Sequence, residues 1–366
     1  MFRILVEDDP YLRIVPTILD PDASDDHRKA IADFLAHDVP DFAQWCRRLR
    51  ETMPGLYPAK IELAYDQDDL RAKLPHADGV IVENLRIGEA ELLLAPRLAI
   101  VQKFGTLIAN IDVSACEKRG IPVEIQHRRV NVAVAEHAFA LMIALAKRLV
   151  ETAGLVAESD LRDAGFDPTP YDRRYTTNSN FARIGGLRTL NGSIFGALGT
   201  GEIGREVARR AASFGMKVLY HQRNRMSAPD EAALGAEYVP FHELLERSDF
   251  LALNLPLNAS TKGIIDRKAL HNLKRGAIIV NTARAQLIDR EALLEALDSG
   301  RLGGYGLDVG YDEPAKPGEP LRKYKNVILT PHTAVAGREN GLADMTDIFT
   351  KLWRAMTAKR NEAAAP

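Results

Sequence analysis

Apolar residues along the chain fall into short, nearly continuous runs. Phe2–Val6, Ile61–Ala64, Gly79–Val82, Leu98–Gln102 and Pro122–Ile125 have the pattern of strands buried on both faces of a parallel sheet. Asp68–Leu74, Glu89–Leu94 and Val113–Arg119 read as helices between them. This alternation predicts an α/β fold with a parallel sheet. Residues 7–57 break the rhythm. They are polar and irregular, with helical stretches near His27–Ala36 and Phe42–Thr52, and Trp45 and Leu49 spaced as a core-facing pair. The segment reads as a surface elaboration, with one wall of a pocket as the alternative. Val132–Val150 is a long helix, rich in Ala and Leu and apolar on more than one face, which predicts burial between domains or subunits. Residues 159–190 lose periodicity and read as a connecting loop or arm.

A second alternation begins at Ser193–Leu198 and continues through Met216–Tyr220, Phe250–Leu255, Ala277–Asn281, Gly304–Asp308 and Asn326–Leu329. Gly341–Thr357 is a final helix expected to return to the first domain, and the terminal NEAAAP is expected to fray. Directly after Ser193–Leu198 stands Gly199-Thr200-Gly201-Glu202-Ile203-Gly204, the G-x-G-x-x-G spacing. The first glycine permits a tight turn and the second a close backbone approach to a pyrophosphate. The third permits close packing of the following helix. Ile203, Val207 and Ala211 give that helix one apolar face, and its orphan N–H groups favour a bound anion. A strand, a turn, a helix and a second strand in this order predict a dinucleotide site.

The tip of the second strand selects between dinucleotides. A carboxylate there would hold the ribose 2′-OH of NAD. This chain reads Tyr220-His221-Gln222-Arg223-Asn224-Arg225 instead. Gln222 does not repel a 2′-phosphate, and Arg223 and Arg225 are candidates to pair with one. NADP(H) is therefore favoured over NAD(H), the alternative being that both arginines face solvent.

At 366 residues the chain is too long for one compact core, so two domains are expected. Its composition is 46% hydrophobic and 27% charged, with a net charge of −2, which points away from nucleic acid and anionic membrane surfaces. Cys46 and Cys116 are its two cysteines, and no Cys/His cluster has metal spacing, so neither a disulfide framework nor a metal is expected. Without a signal-like N-terminus or a run of 18 apolar residues, a cytoplasmic location is the expectation.

From about 98 to 337 the chain resembles the D-isomer-specific 2-hydroxyacid dehydrogenases, the family of D-lactate, glyoxylate/hydroxypyruvate, phosphoglycerate and formate dehydrogenases. Besides GTGEIG, the resemblance rests on VAEH (134–137), LNLPLNASTKGII (253–265), GAIIVNTARAQLID (276–289), GLDVGYDEP (306–314) and TPHTA (330–334). It implies two Rossmann-like parallel-sheet domains flanking a cleft. The substrate-binding domain, flavodoxin-like, is expected over 1–135 and 336–366, and the dinucleotide-binding domain over 136–335. A homodimer supported by the long helix is implied too.

The resemblance also implies three catalytic residues. Arg284 would clamp the substrate carboxylate and polarise its 2-oxo group. His332 would be the general acid for ketone reduction, and Glu313 would orient its imidazole. Asp308 is implied at the nicotinamide amide, Thr282 and Ala283 at the cofactor through backbone, and Leu255 and Pro256 along the cofactor cleft. Formate dehydrogenases carry Gln where Glu313 stands, which argues against formate and for a small 2-oxo or 2-hydroxy acid.

The substrate loop departs from the family's G-x-G-x-D-N-I-D. Here it reads Phe104-Gly105-Thr106-Leu107-Ile108-Ala109-Asn110-Ile111-Asp112, in which Gly105 and Thr106 still offer backbone N–H groups to a carboxylate. Glu83, Asn84 and Leu85 occupy the other expected substrate loop. Arg86, Lys103, Arg128 and Arg129 are candidates for a second acidic group. The default substrate is glyoxylate or hydroxypyruvate. The alternatives are NAD-dependent oxidation of a hydroxy acid and a dinucleotide-binding regulator of corepressor type.

Overall fold

The strand β1 (Phe2–Glu7) shows why the apolar runs are continuous: Ile4 and Val6 point into one core cluster and Leu5 into another, so both faces are buried. A computed structural model describes residues 1–335 and 337–364. It divides the chain into two compact units, 1–130 with 336–366 and 131–335.

In the first unit β1 is joined by β2 (Ala59–Ala64), β3 (Gly79–Val82), β4 (Ile100–Lys103) and β5 (Val123–Glu124), parallel throughout, in the order β2-β1-β3-β4-β5. The segment 7–57 is not a surface elaboration. Its helices Ile14–Leu19, Asp25–Leu35 and Phe42–Thr52 send Ile14, Ile18, Leu35, Phe42 and Leu49 into the core under one face of the sheet. The final helix, Glu339–Ala364, adds Met345, Ile348, Phe349 and Leu352 to the same cluster. That helix includes the NEAA that was expected to fray; Ala365 and Pro366 lie outside the described residues.

In the second unit, β6 (Ile194–Leu198), β7 (Lys217–His221), β8 (Ala236–Tyr238), β9 (Phe250–Leu253), β10 (Ile278–Asn281), β11 (Gly304–Leu307) and β12 (Val327–Leu329) form a parallel sheet, ordered β12-β11-β10-β9-β6-β7-β8. The long helix, Arg129–Ala146, is apolar enough by length and composition to cross a membrane. Ala138, Phe139, Leu141, Met142 and Leu145 bury instead in the core of the second unit, so its own sheet supplies much of the partner surface that its composition demands. Residues 159–190 are mostly irregular, as expected, with a short helix at Glu158–Asp163.

Candidate active site

Because the second sheet is parallel, the loops that follow β6, β9, β10, β11 and β12 all emerge at its carboxyl edge. The order turns back beside β6, which carries β9 on one side and β7 on the other. Such a switch point is where open α/β sheets bind ligands.

The glycine turn follows β6. Gly199 has φ +92, and a Cβ there would meet the Asn254 carbonyl oxygen at 2.8 Å and Leu255 at 2.9 Å. At Gly204 an added Cβ would stand 2.3 Å from the Gly199 carbonyl oxygen, so only glycine lets the helix Glu202–Ser213 start this close to the turn. The position of a Cβ on Gly201 faces open space. The closed first and third positions and the open second one fit a pyrophosphate approaching at Gly201. Val207 and Ala211 are buried beneath that helix and Ile203 is half-buried. Glu202 accepts from Asn131 Nδ2 at 2.6 Å.

Gln222 is tied to this turn. Its Oε1 accepts from the Thr200 N–H at 3.2 Å and the Thr200 hydroxyl at 2.7 Å, and its Nε2 donates to the Asn224 carbonyl at 2.7 Å. Arg225 departs from the expectation that it pairs with a 2′-phosphate. It makes a two-pronged pair with Glu231 at 2.7 and 2.8 Å, and Glu231 accepts as well from the Tyr220 hydroxyl. Arg223 is exposed and has no ion-pair partner among the described residues. Of the two arginines at this strand tip, only Arg223 lacks a carboxylate partner among the described residues. Arg205, on the first turn of the helix, was not foreseen; it donates to the Thr200 carbonyl and pairs with Asp230.

The chemistry gathers after β10, β11 and β12. Thr282 and Ala283 follow β10, and the Asn281 side chain locks this turn, accepting from the Ala283 N–H at 3.1 Å and donating to the Arg284 carbonyl at 2.9 Å. Arg284 is exposed beyond them, its guanidinium donating to the Ala283 carbonyl at 2.6 Å, without an ion pair among the described residues. Leu255 and Pro256 follow β9, and Leu255 touches the glycine turn.

His332 Nδ1 lies 3.1 Å from Glu313 Oε2, and both side chains remain about two-fifths exposed. The other Glu313 oxygen accepts from the Gly310 N–H at 3.0 Å. A carboxylate fixed in this way holds the proton on Nδ1 and directs Nε2 outward. His332 has φ +55, in the left-handed region, and its N–H donates to the Asp308 carbonyl at 2.9 Å. Beside this pair is a cavity of about 520 Å³ lined by Tyr311, Glu313, Pro314, Leu321, Thr330 and His332.

Asp308, implied at the nicotinamide amide, is engaged within the protein. It is 1% exposed, and its carboxylate accepts from the Thr330 hydroxyl at 2.6 Å and from the N–H groups of Thr333 and Ala334 at 2.9 and 3.0 Å. A buried carboxylate needs such partners, and here they fix the turn that carries His332. His137, within the VAEH motif, completes the network, with Nε2 2.9 Å from the Thr330 hydroxyl and 3.4 Å from Asp308.

In the first unit the loops after β3 and β4 also lie at a carboxyl edge. The Glu7 carboxylate, at the end of β1, accepts from the N–H groups of Glu83, Asn84 and Leu85. The backbone amides of Asn84 and Leu85, in the expected substrate loop, are therefore engaged inside the protein. Phe104 is 1% exposed and stacks on Tyr11 at 6.0 Å, so its ring is core. Gly105 is buried, with its carbonyl accepting from the Gln126 N–H at 3.0 Å, and Thr106 is half-buried. Asn110 braces both loops, donating to the Leu85 carbonyl at 2.7 Å and accepting from Lys103 at 3.1 Å.

Burial pushes the Glu83 carboxyl up to about 7; Arg128 opposes the rise and Asp9 and Glu7 add to it. The folded state therefore holds a proton that the unfolded chain has released between about pH 4.5 and 7. This contribution to stability is present at acid pH and is lost as pH rises through 7. Glu83→Gln is expected to raise the melting temperature relative to the parent at pH 8 more than at pH 5, as read by thermal denaturation at both. An equal shift at the two values would remove Glu83 as the source.

Comparison with known proteins places the chain among relatives of the same fold. The model of the family described as D-isomer specific 2-hydroxyacid dehydrogenase, NAD binding domain, matches residues 139–334. A glyoxylate reductase of Korarchaeum cryptofilum is 36% identical over 300 residues, covering 77% of this chain and 83% of that protein. A D-3-phosphoglycerate dehydrogenase of Mycobacterium leprae is 35% identical over 297 residues, covering 80% of this chain and 52% of its own length. Among solved structures, a glyoxylate reductase from Paecilomyes thermophila superposes with a TM-score of 0.55 at 29% identity, covering 97% of this chain and 95% of that one.

Proposed function

Since the chain belongs to the D-isomer specific 2-hydroxyacid dehydrogenase family, NAD(P)-dependent oxidoreductases that act on CH–OH groups, we propose that it reduces a small 2-oxo acid to the D-2-hydroxy acid and prefers NADP(H). The observation that carries the reading is the His332–Glu313 pair at 3.1 Å, on the same sheet edge as the glycine turn and Arg284. Glyoxylate and hydroxypyruvate are the first substrates to assay, in keeping with the glyoxylate reductases among the relatives.

The glycine turn, open at Gly201, fits a dinucleotide pyrophosphate. When bound, the reduced nicotinamide supplies a hydride to C2 of the substrate. Arg284, free of other carboxylates among the described residues, holds the substrate carboxylate through charge-assisted hydrogen bonds. His332 Nε2 donates its proton to the oxygen on C2 as negative charge develops there. Glu313, within hydrogen-bond reach of Nδ1, orients the imidazole for that transfer. In the reverse direction the same nitrogen takes the hydroxyl proton.

The cofactor preference rests on Gln222 and Arg223. Gln222 brings no negative charge to the ribose, and Arg223 has no carboxylate partner among the described residues, which leaves it available to a 2′-phosphate. Gln222→Asp is expected to lower the ratio of kcat/KM with NADPH to that with NADH by about tenfold or more. Steady-state rates with both dinucleotides read this ratio; an unchanged ratio would remove Gln222 as its determinant. Arg225→Ala serves as the contrast, with a smaller effect because Glu231 already holds that side chain. Free, buried Cys46 and Cys116 favour a reducing compartment such as the cytoplasm. Exposed Leu149, Val150, Val156 and Leu187 favour a homodimer.

A further inference from the structure

We propose that Arg128 is a specificity residue that receives a second carboxylate on the substrate, so that the preferred 2-oxo acids are dicarboxylic. The inference rests on the reductase reading above and on the loops at the carboxyl edge of the first unit holding the substrate.

Four basic residues adjoin those loops, and three are accounted for differently. Arg129 pairs with Asp344 at 2.6 Å and Asp347 at 2.8 Å. Lys103 is 5% exposed and braces the loop through the Glu83 carbonyl and Asn110. Arg86 is exposed on the loop after β3.

Arg128 stands apart. It follows β5, at the same sheet edge as Glu83 after β3 and Phe104 after β4. Its guanidinium carbon lies 4.2 Å over the Phe104 ring, which holds the fork at the start of the loop after β4. Its side chain is 19% exposed, with one ion pair among the described residues, Nη1 to Glu83 Oε1 at 3.0 Å. Its Nε is buried without a hydrogen-bond partner among the described residues. An arginine so desolvated is short of acceptors.

Its one partner is also a weak anion. Burial holds the Glu83 carboxyl up to about 7, so near neutral pH it carries only part of a negative charge. A substrate carboxylate arriving at Arg128 supplies the missing charge, and Glu83 takes up a proton and becomes a hydrogen-bond donor. A substrate ending in a methyl group leaves the guanidinium as it was, with no charge gained.

The test compares chain-matched pairs, oxaloacetate against 2-oxobutyrate and 2-oxoglutarate against 2-oxovalerate, with NADPH at saturation. The parent enzyme is expected to favour the dicarboxylic member of each pair in kcat/KM. Arg128→Met is expected to lower that preference about 10- to 100-fold, chiefly through KM, which corresponds to the loss of one charged hydrogen-bonding partner. Arg128→Lys is expected to restore much of it. NADPH binding and the melting temperature, measured on each variant, verify that it is folded. Equal losses for both members of a pair, or a parent enzyme that favours the monocarboxylic acids, would overturn the role of Arg128 and leave the reductase reading standing. Failure to turn over any 2-oxo acid while NADPH binds would overturn both.

Discussion

Replacing His332 with Asn is expected to lower kcat by about 10³-fold while NADPH binding stays within about twofold of the parent. The substitution is chosen for the backbone. His332 has φ +55, and Asn is among the non-glycine residues that tolerate this region best. Alanine there adds strain to the loss of the imidazole and confounds the two. Asn cannot deliver a proton to an alkoxide, but it keeps the turn and can still reach Glu313. Binding should survive because the glycine turn and Gln222 belong to other loops. Single-turnover kinetics with fluorescence titration of NADPH separate the two quantities. A variant that keeps more than a tenth of the parental kcat would end the assignment of His332 as the acid.

The second large effect is expected at Asp308, which touches no reacting atom in the proposed mechanism. Asp308→Ala removes the acceptor for the Thr330 hydroxyl and for two backbone N–H groups, all at a side chain 1% exposed. Leaving such donors buried and unpaired costs on the order of 3 kcal/mol, or a melting temperature lower by about 10 °C for a unit of this size. Turnover should fall with it, because these donors flank His332 in sequence and fix its turn. The discriminating measurement is kcat well below the melting temperature of the variant. If it equals the parental value there, Asp308 contributes stability alone, and the histidine turn does not depend on it.

The contrast between Asp308 and His332 shows how far the sequence could be read. The glycine spacing and the ordered motifs gave the fold class and the family, because each motif needs its residues at fixed offsets on a strand and the turn after it. What escaped was the choice of partner. Arg225 is taken up by Glu231, six residues on, in the next helix. The amides of Asn84 and Leu85 are captured by Glu7, more than seventy residues away. No local pattern announces either contact. The segment 7–57 misled for a related reason. Its helix Ile14–Leu19 has six residues, all buried, so it lacks the alternating face that marks an amphipathic helix. Its apolar neighbours are scattered over three helices that meet only in the fold.

The first unit is discontinuous, and this sets an order of assembly. Residues 131–335 lie between its two parts, and the second unit can close its sheet as soon as that stretch has left the ribosome. The first unit must wait. Until the last thirty residues emerge, the core under one face of its sheet, which the helices of 7–57 already enter, lacks Met345, Ile348, Phe349 and Leu352. During synthesis that core is incomplete on a chain whose middle is already folded, and chaperone binding would be concentrated at the gap the last helix fills. Shortening the C-terminus should therefore act first on the yield of folded chain, through the unit that is begun first and finished last.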